Sequence, residues 1–197
     1  MLSVVVLISG SGSNLRALLE ACDNPLFPVQ VLAVGSDKPA TGLSHAELFG
    51  VPTFVVEPGR FSDRVQWANV LGETISHFNP DLVVLAGFMK VLPGEFVRKY
   101  YPNLINLHPS LLPKFPGAHA VVDALAAGAN ETGASIHVVD EGVDTGPLIA
   151  QVPVPIEQSD TEASLHERIK LVERELLVNT LGQIAAGEID LMAKARV

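Results

Sequence analysis

Apolar residues fall along this chain in two alternating textures. Short apolar, largely β-branched runs, Val4 to Ile8, Val29 to Val34 and Leu82 to Ala86, read as strands, the first and last without polar interruption as for strands buried on both faces. Between them lie stretches whose apolar residues recur at spacings of three and four, the stripe of an amphipathic helix. Leu15, Leu18 and Leu19 form the first stripe, with Ser13 or Asn14 as its cap. Gly42 to Phe49 predicts a short helix and Thr53 to Val56 a third strand after Pro52. A longer helix begins near Ser62, buries Val65, Ala68, Leu71, Ile75 and Phe78, and stops before Asn79-Pro80. Leu104 to His108 reads as a strand running into a loop, Pro109 to Gly117, that Pro109, Pro113 and Pro116 keep irregular. Val121 to Ala127 is helical, Ala134 to Val139 and Leu148 to Val154 are strands, and a last helix from about Glu162 to Ala186 buries Leu165, Ile169, Val172, Leu176 and Ile184.

Strand and helix alternate with short turns, which predicts an α/β fold. The expected form is one domain over residues 1–197, a mostly parallel, doubly wound, Rossmann-related sheet with helices on both faces, because parallel neighbours need crossover connections. In such sheets ligands bind beyond the carboxyl ends of the strands. That rule selects Ser9 to Asn14, Gly87 to Leu92, Asn106 to Gly117 and Asp140 to Gly146.

Composition narrows the partners. Thirteen basic against 22 acidic residues leave a net charge of −9, and the basic residues form no run, which disfavours nucleic acid and anionic membranes. No apolar run approaches the roughly 18 residues of a membrane span, and no basic segment precedes Val4, so a cytoplasmic location is expected. The single cysteine, Cys22, forms no internal disulfide and fits a reducing compartment or the core. His108, His119 and His137 lack metal-ligand spacing and no cysteine pair supports them, so no metal is expected.

Four constellations carry chemistry. Ser9-Gly10-Ser11-Gly12-Ser13-Asn14 presents backbone N–H groups at a helix N-terminus, where an anion such as phosphate is favoured. A tight turn needs the same glycines, and a nicotinamide fingerprint is incomplete because Leu15 stands where its third glycine belongs. Asn106 and His108, two apart at a strand end, project from one face, where together they can donate to an oxygen gaining negative charge. Their alternative is a strand cap and a histidine serving the proline-rich loop. Asp144, in a glycine-containing loop, would raise the His108 pKa if near it, and would otherwise be a turn residue. Arg64, Lys90, His137 and Glu173 are weaker signals, equally suited to solvated helix faces or, for His137, to the core.

Ser9 to Leu15, Leu85-Ala86-Gly87-Phe88-Met89, Asn106-Leu107-His108-Pro109-Ser110-Leu111-Leu112-Pro113 and Asp144-Thr145-Gly146-Pro147 resemble, in this order and spacing, the phosphoribosylglycinamide formyltransferase family. The resemblance covers nearly the whole chain and implies transfer of the formyl group of 10-formyltetrahydrofolate to the amine of glycinamide ribonucleotide, with a homodimer left open. It implies Asn106, His108 and Asp144 as catalytic residues and Gly12, Ser13, Asn14, Lys170 and Glu173 at the ribonucleotide. It places Arg64, Met89, Lys90, Val91, Leu92, Asn106, Asp140, Glu141, Gly142, Val143 and Asp144 at the folate, with Lys90 standing where relatives often carry arginine. A formyltetrahydrofolate hydrolase or a nucleotide-binding Rossmann-type module are the alternative expectations. The added domains usual in the hydrolase and in a tRNA formyltransferase do not fit in 197 residues.

Overall fold

Seven strands form one sheet in the computed structural model, which describes residues 1–196. β1 (Leu2–Ile8), β2 (Val29–Ser36), β3 (Thr53–Val55), β4 (Leu82–Leu85) and β5 (Leu104–His108) pair in parallel. β6 (Glu131–Val138) and β7 (Leu148–Pro155) then join antiparallel, giving the spatial order β3-β2-β1-β4-β5-β6-β7. The progression reverses between β1 and β4, so the loops after these strands diverge and leave a crevice.

Alternation along β1 builds the two helix layers. Val4, Val6 and Ile8 pack with Leu15 and Leu18 of α1 (Ser13–Cys22) and with Leu165, Ile169 and Leu177 of α6 (Glu162–Ala185). Ala46 of α2 (Leu43–Leu48) and Val121 of α5 (Ala120–Ala126) join the same core. Val5 and Leu7 point the other way, onto Trp67, Leu71 and Ile75 of α3 (Arg64–Ser76) and Phe96 of α4 (Gly94–Tyr100). The uninterrupted apolar run in β1 is thus accounted for by helices on both faces. No helix among the described residues is long and apolar enough to cross a membrane.

The sequence expectations need five corrections. The N-cap of α1 is Gly12, at φ 69°, with no side-chain cap from Ser13 or Asn14. A Cβ on Gly12 would lie 2.9 Å from the Gly42 Cα, so two glycines meet where the β1 loop crosses the start of α2. α3 begins at Arg64, because the Asp63 carboxylate accepts from the Gln66 N–H at 2.8 Å. Its inward position belongs to Trp67, fully buried, while Val65 is 46% exposed. The short helices α4 and α7 (Leu191–Lys194) carry too few apolar positions to show a period and were not expected. Finally, the buried face of α6 includes Glu173, only 5% exposed.

Trp67 ties α3 to the end of β3. Its indole N–H donates to the Val56 carbonyl at 2.8 Å and its ring stacks on Phe88, centroids 6.3 Å apart. Trp67→Phe removes that donor and leaves a void, and is expected to cost about 2–3 kcal/mol by urea unfolding. A loss below about 0.5 kcal/mol would show that the carbonyl finds another partner and the core recloses.

Candidate active site

The carboxyl end of β5 delivers Asn106 and His108, and antiparallel pairing sets His137 of β6 directly opposite Asn106. The loop after β6 returns Asp144 over this pair in a left-handed backbone conformation, φ 54°. Four groups then converge on its carboxylate. The Gly117 N–H donates to Oδ2 at 2.7 Å, and Asn106 Nδ2 reaches Oδ1 at 3.4 Å. His108 Nδ1 and His137 Nε2 each lie 3.4 Å from a carboxylate oxygen.

Hydrogen-bond partners assign the imidazole roles. His108 Nε2–H donates to the Phe115 carbonyl at 2.9 Å, so Nδ1, facing Asp144, is the atom that gains or loses a proton. His137 Nδ1 lies 2.9 Å from the Val138 carbonyl, and its Nε2 faces both Asn106 Nδ2 at 3.2 Å and Asp144 Oδ1 at 3.4 Å. Burial pushes His108 below its ordinary value; the Phe115 carbonyl and the Asp144 carboxylate pull upward without overcoming it, and His137 adds to the lowering. The expectation of a ring held protonated by Asp144 is therefore corrected. The coupling has the expected sign, and desolvation outweighs it. For Asp144 burial acts upward, yet bonds from His137 and the Gly117 N–H, with the charges of both histidines, bring the carboxyl down to about 2.

The cluster forms one end of a cavity of about 240 Å³. Met89, Lys90, Val91 and Leu92 from the β4 loop line it opposite Asp140, Gly142, Val143 and Asp144. Two larger clefts, about 480 and 500 Å³, lie beside Cys22 and beside Lys114 and hold none of these groups, so volume does not mark the site.

A family model described as formyl transferase matches residues 2–181. A phosphoribosylglycinamide formyltransferase of Mycobacterium tuberculosis is 44% identical over 191 residues, 97% of this chain and 88% of its own length. The chain belongs to the phosphoribosylglycinamide formyltransferase family. The Escherichia coli member is 38% identical over 195 residues, spanning 98% of this chain and 92% of that one. Glycinamide ribonucleotide transformylase 1 from Symbiobacterium toebii superposes with a TM-score of 0.92 at 37% identity, covering 95% of this chain and 89% of its own. This chain is thus an enzyme of the formyltransferase class.

Within this formyltransferase fold the remaining expected residues fall into three groups. Gly12, Ser13 and Asn14 form the N-terminus of α1, and Asn14 Nδ2 donates to the buried Glu173 carboxylate at 3.1 Å. Burial pushes the Glu173 carboxyl up, against the Asn14 bond and the charges of Lys170 and Arg174. Lys170 pairs with Glu167 at 2.7 Å. Arg64 and Glu141 do not line the cavity: Arg64 is an exposed residue at the start of α3, and Glu141 pairs with Arg98 of α4 at 2.6 Å. Lys90 turns its ammonium to the buried Asp37 carboxylate, 3.6 Å away at the end of β2. Asp140 closes its own loop, accepting from Thr145 Oγ1 at 2.8 Å and the Gly142 N–H at 3.1 Å.

His137 belongs to the cluster more closely than its place in the sequence suggests. Its signal was positional: a histidine in an otherwise apolar strand, paired across the sheet with Asn106. Phe115 and Gly117, which act through backbone atoms, left no side-chain signal.

Asp144→Asn removes the charge that favours the imidazolium while keeping an oxygen for the Gly117 N–H. His108 is expected to titrate lower in this variant than in the parent, followed by NMR of the ring protons. An unchanged titration in a folded variant would mean that the carboxylate and the ring are not electrostatically coupled.

Proposed function

We propose that this chain transfers the formyl group of 10-formyltetrahydrofolate to the amine of glycinamide ribonucleotide, giving formylglycinamide ribonucleotide and tetrahydrofolate, from a single domain in the cytoplasm. The observation that carries the reading is an ionised Asp144 beside the Nδ1 edge of a buried, cavity-facing His108. Family membership supports this choice of substrates, and the geometry supports the roles.

Met89, Val91, Leu92 and Val143 offer an apolar wall to a flat heterocycle, and the polar end of the cavity sets its formyl group against Asn106 and His108. The ribonucleotide phosphate sits on the N–H groups at the start of α1, where the helix dipole favours it. The buried Asn14 Oδ1 has no partner among the described residues, so a ribose hydroxyl can supply its missing donor beside Glu173. Lys170, tied to Glu167, adds positive charge nearby.

Attack of the amine forms a C–N bond to the formyl carbon and makes the attacking nitrogen acidic. His108 Nδ1, neutral at rest because burial lowers its pKa, takes that proton. Asp144 stabilises the resulting imidazolium, and the ring with the Asn106 amide offsets the charge on the formyl oxygen. His108 then returns the proton to the departing folate nitrogen as its C–N bond breaks. The 3.4 Å His108–Asp144 separation is longer than a charge-assisted bond of about 2.8 Å and leaves the ring room to turn toward substrate. Holding both substrates in one crevice removes much of the entropy cost of their encounter.

Formyltetrahydrofolate consumption is expected to require glycinamide ribonucleotide. Equal consumption without the amine would identify a hydrolase instead. His108→Ala is expected to lower kcat by about a hundredfold or more with ribonucleotide binding retained. Near-normal turnover at saturation would remove His108 from the reaction.

The phosphate loop has its own test. Gly12→Val places a branched side chain on a positive-φ residue against Gly42, so ribonucleotide affinity measured by calorimetry is expected to fall about tenfold or more, with binding of a folate analogue preserved. Ser13→Ala, which keeps the backbone donors, is expected to lose much less. A folded Gly12→Val protein that binds the ribonucleotide normally contradicts the assignment.

A further inference from the structure

The loop that follows His108 supports the site through two backbone atoms. The Phe115 carbonyl holds His108 Nε2 at 2.9 Å, and the Gly117 N–H holds Asp144 Oδ2 at 2.7 Å. Prolines deny this loop regular structure, so its backbone needs partners elsewhere. A cross-strand pair outside the cavity, Ser135 of β6 and Gln151 of β7, provides them.

The Ser135 hydroxyl, fully buried, uses its whole bonding capacity there. It donates to the Ser110 carbonyl at 2.5 Å and accepts from the Leu112 N–H at 3.2 Å and Gln151 Nε2 at 2.8 Å. Gln151 Nε2 also donates to the Leu112 carbonyl at 2.8 Å, so both of its N–H groups are engaged. Inside the loop, Ser110 Oγ donates to the Lys114 carbonyl at 2.6 Å, one residue before Phe115. A chain of bonds therefore runs from the Gln151 amide, through Ser135 and the loop backbone, to the carbonyl behind His108.

We infer that Ser135 and Gln151 are positioning residues for formyl transfer, fixing the Pro109–Gly117 loop so that its backbone orients His108 and Asp144. The inference deepens the formyl-transfer reading and rests on it. Neither residue touches the reacting groups, and both are uncharged, so their effect on the imidazole is transmitted through position. The charged or titratable groups that face that ring are Asp144 and His137.

Ser135→Ala strands buried loop groups and risks the fold, so the deciding variant is Gln151→Ala, at an exposed position of β7. Its kcat is expected to fall about tenfold, with KM for both substrates within about twofold of the parent, because misplaced groups lose the transition state more than substrate binding. In the substrate-free variant His108 is expected to titrate below the parent, since a loosened Phe115 bond no longer pulls its pKa up. A folded variant with unchanged kcat and unchanged His108 titration overturns the inference, whether or not its Tm falls. A rise in KM at constant kcat overturns it equally. If the parent protein transfers no formyl group, the functional reading fails, while the NMR titration still decides whether the pair orients the ring.

Discussion

An ionised carboxylate withdrawn from solvent has to be held by polar neighbours, and around Asp144 those neighbours come from different parts of the chain. β5 supplies Asn106 and His108, β6 supplies His137, and the proline-rich loop supplies the Gly117 N–H. Each component alone is a weak contact, with distances up to 3.4 Å for the side chains. Together they keep the carboxyl ionised far below neutrality, and the carboxylate in turn favours any positive charge that the neighbouring ring acquires during a reaction.

The sheet makes this convergence repeatable. Parallel pairing from β3 through β5 brings the chemical residues to the carboxyl ends of the strands, and the β1/β4 reversal opens the crevice beside them. The antiparallel addition of β6 and β7 does something that a purely parallel sheet would not. It returns a strand across the Asn106 edge in register, so that His137 completes the cluster, and it exposes Ser135 and Gln151 to the loop that backs His108. The loop after β4 and the elements of the β5 and β6 side meet over one short cavity.

Burial and charge oppose each other in this site, and their balance differs between residues. Asp144 has enough hydrogen-bond donors to stay ionised, whereas desolvation wins at His108 and again at Glu173. A resting neutral imidazole beside a standing carboxylate is suited to accept a proton and to hold it only transiently.

Local pattern decides what local pattern controls. The β-branched runs of β1 and β4, the leucine stripe of α1 and the glycines of the first loop follow from side-chain periodicity and backbone sterics, so they and the α/β class were legible in the residues. So were Asn106, His108 and Asp144, because a polar pair at a strand end and an acid in a glycine loop conflict with the apolar pattern around them, and the family resemblance joined them. Tertiary structure alone decided the rest. His137 joined the cluster through cross-strand register, and Glu173 was buried because α6 packs on the start of α1. Glu141 turned out to Arg98 and Lys90 to Asp37 because long charged side chains follow whatever partner the fold brings near. The direction of the His108 shift belongs to this second group: the sign of one carboxylate's effect can be read from residue types, but the desolvation it competes with depends on how much of the molecule closes over the ring.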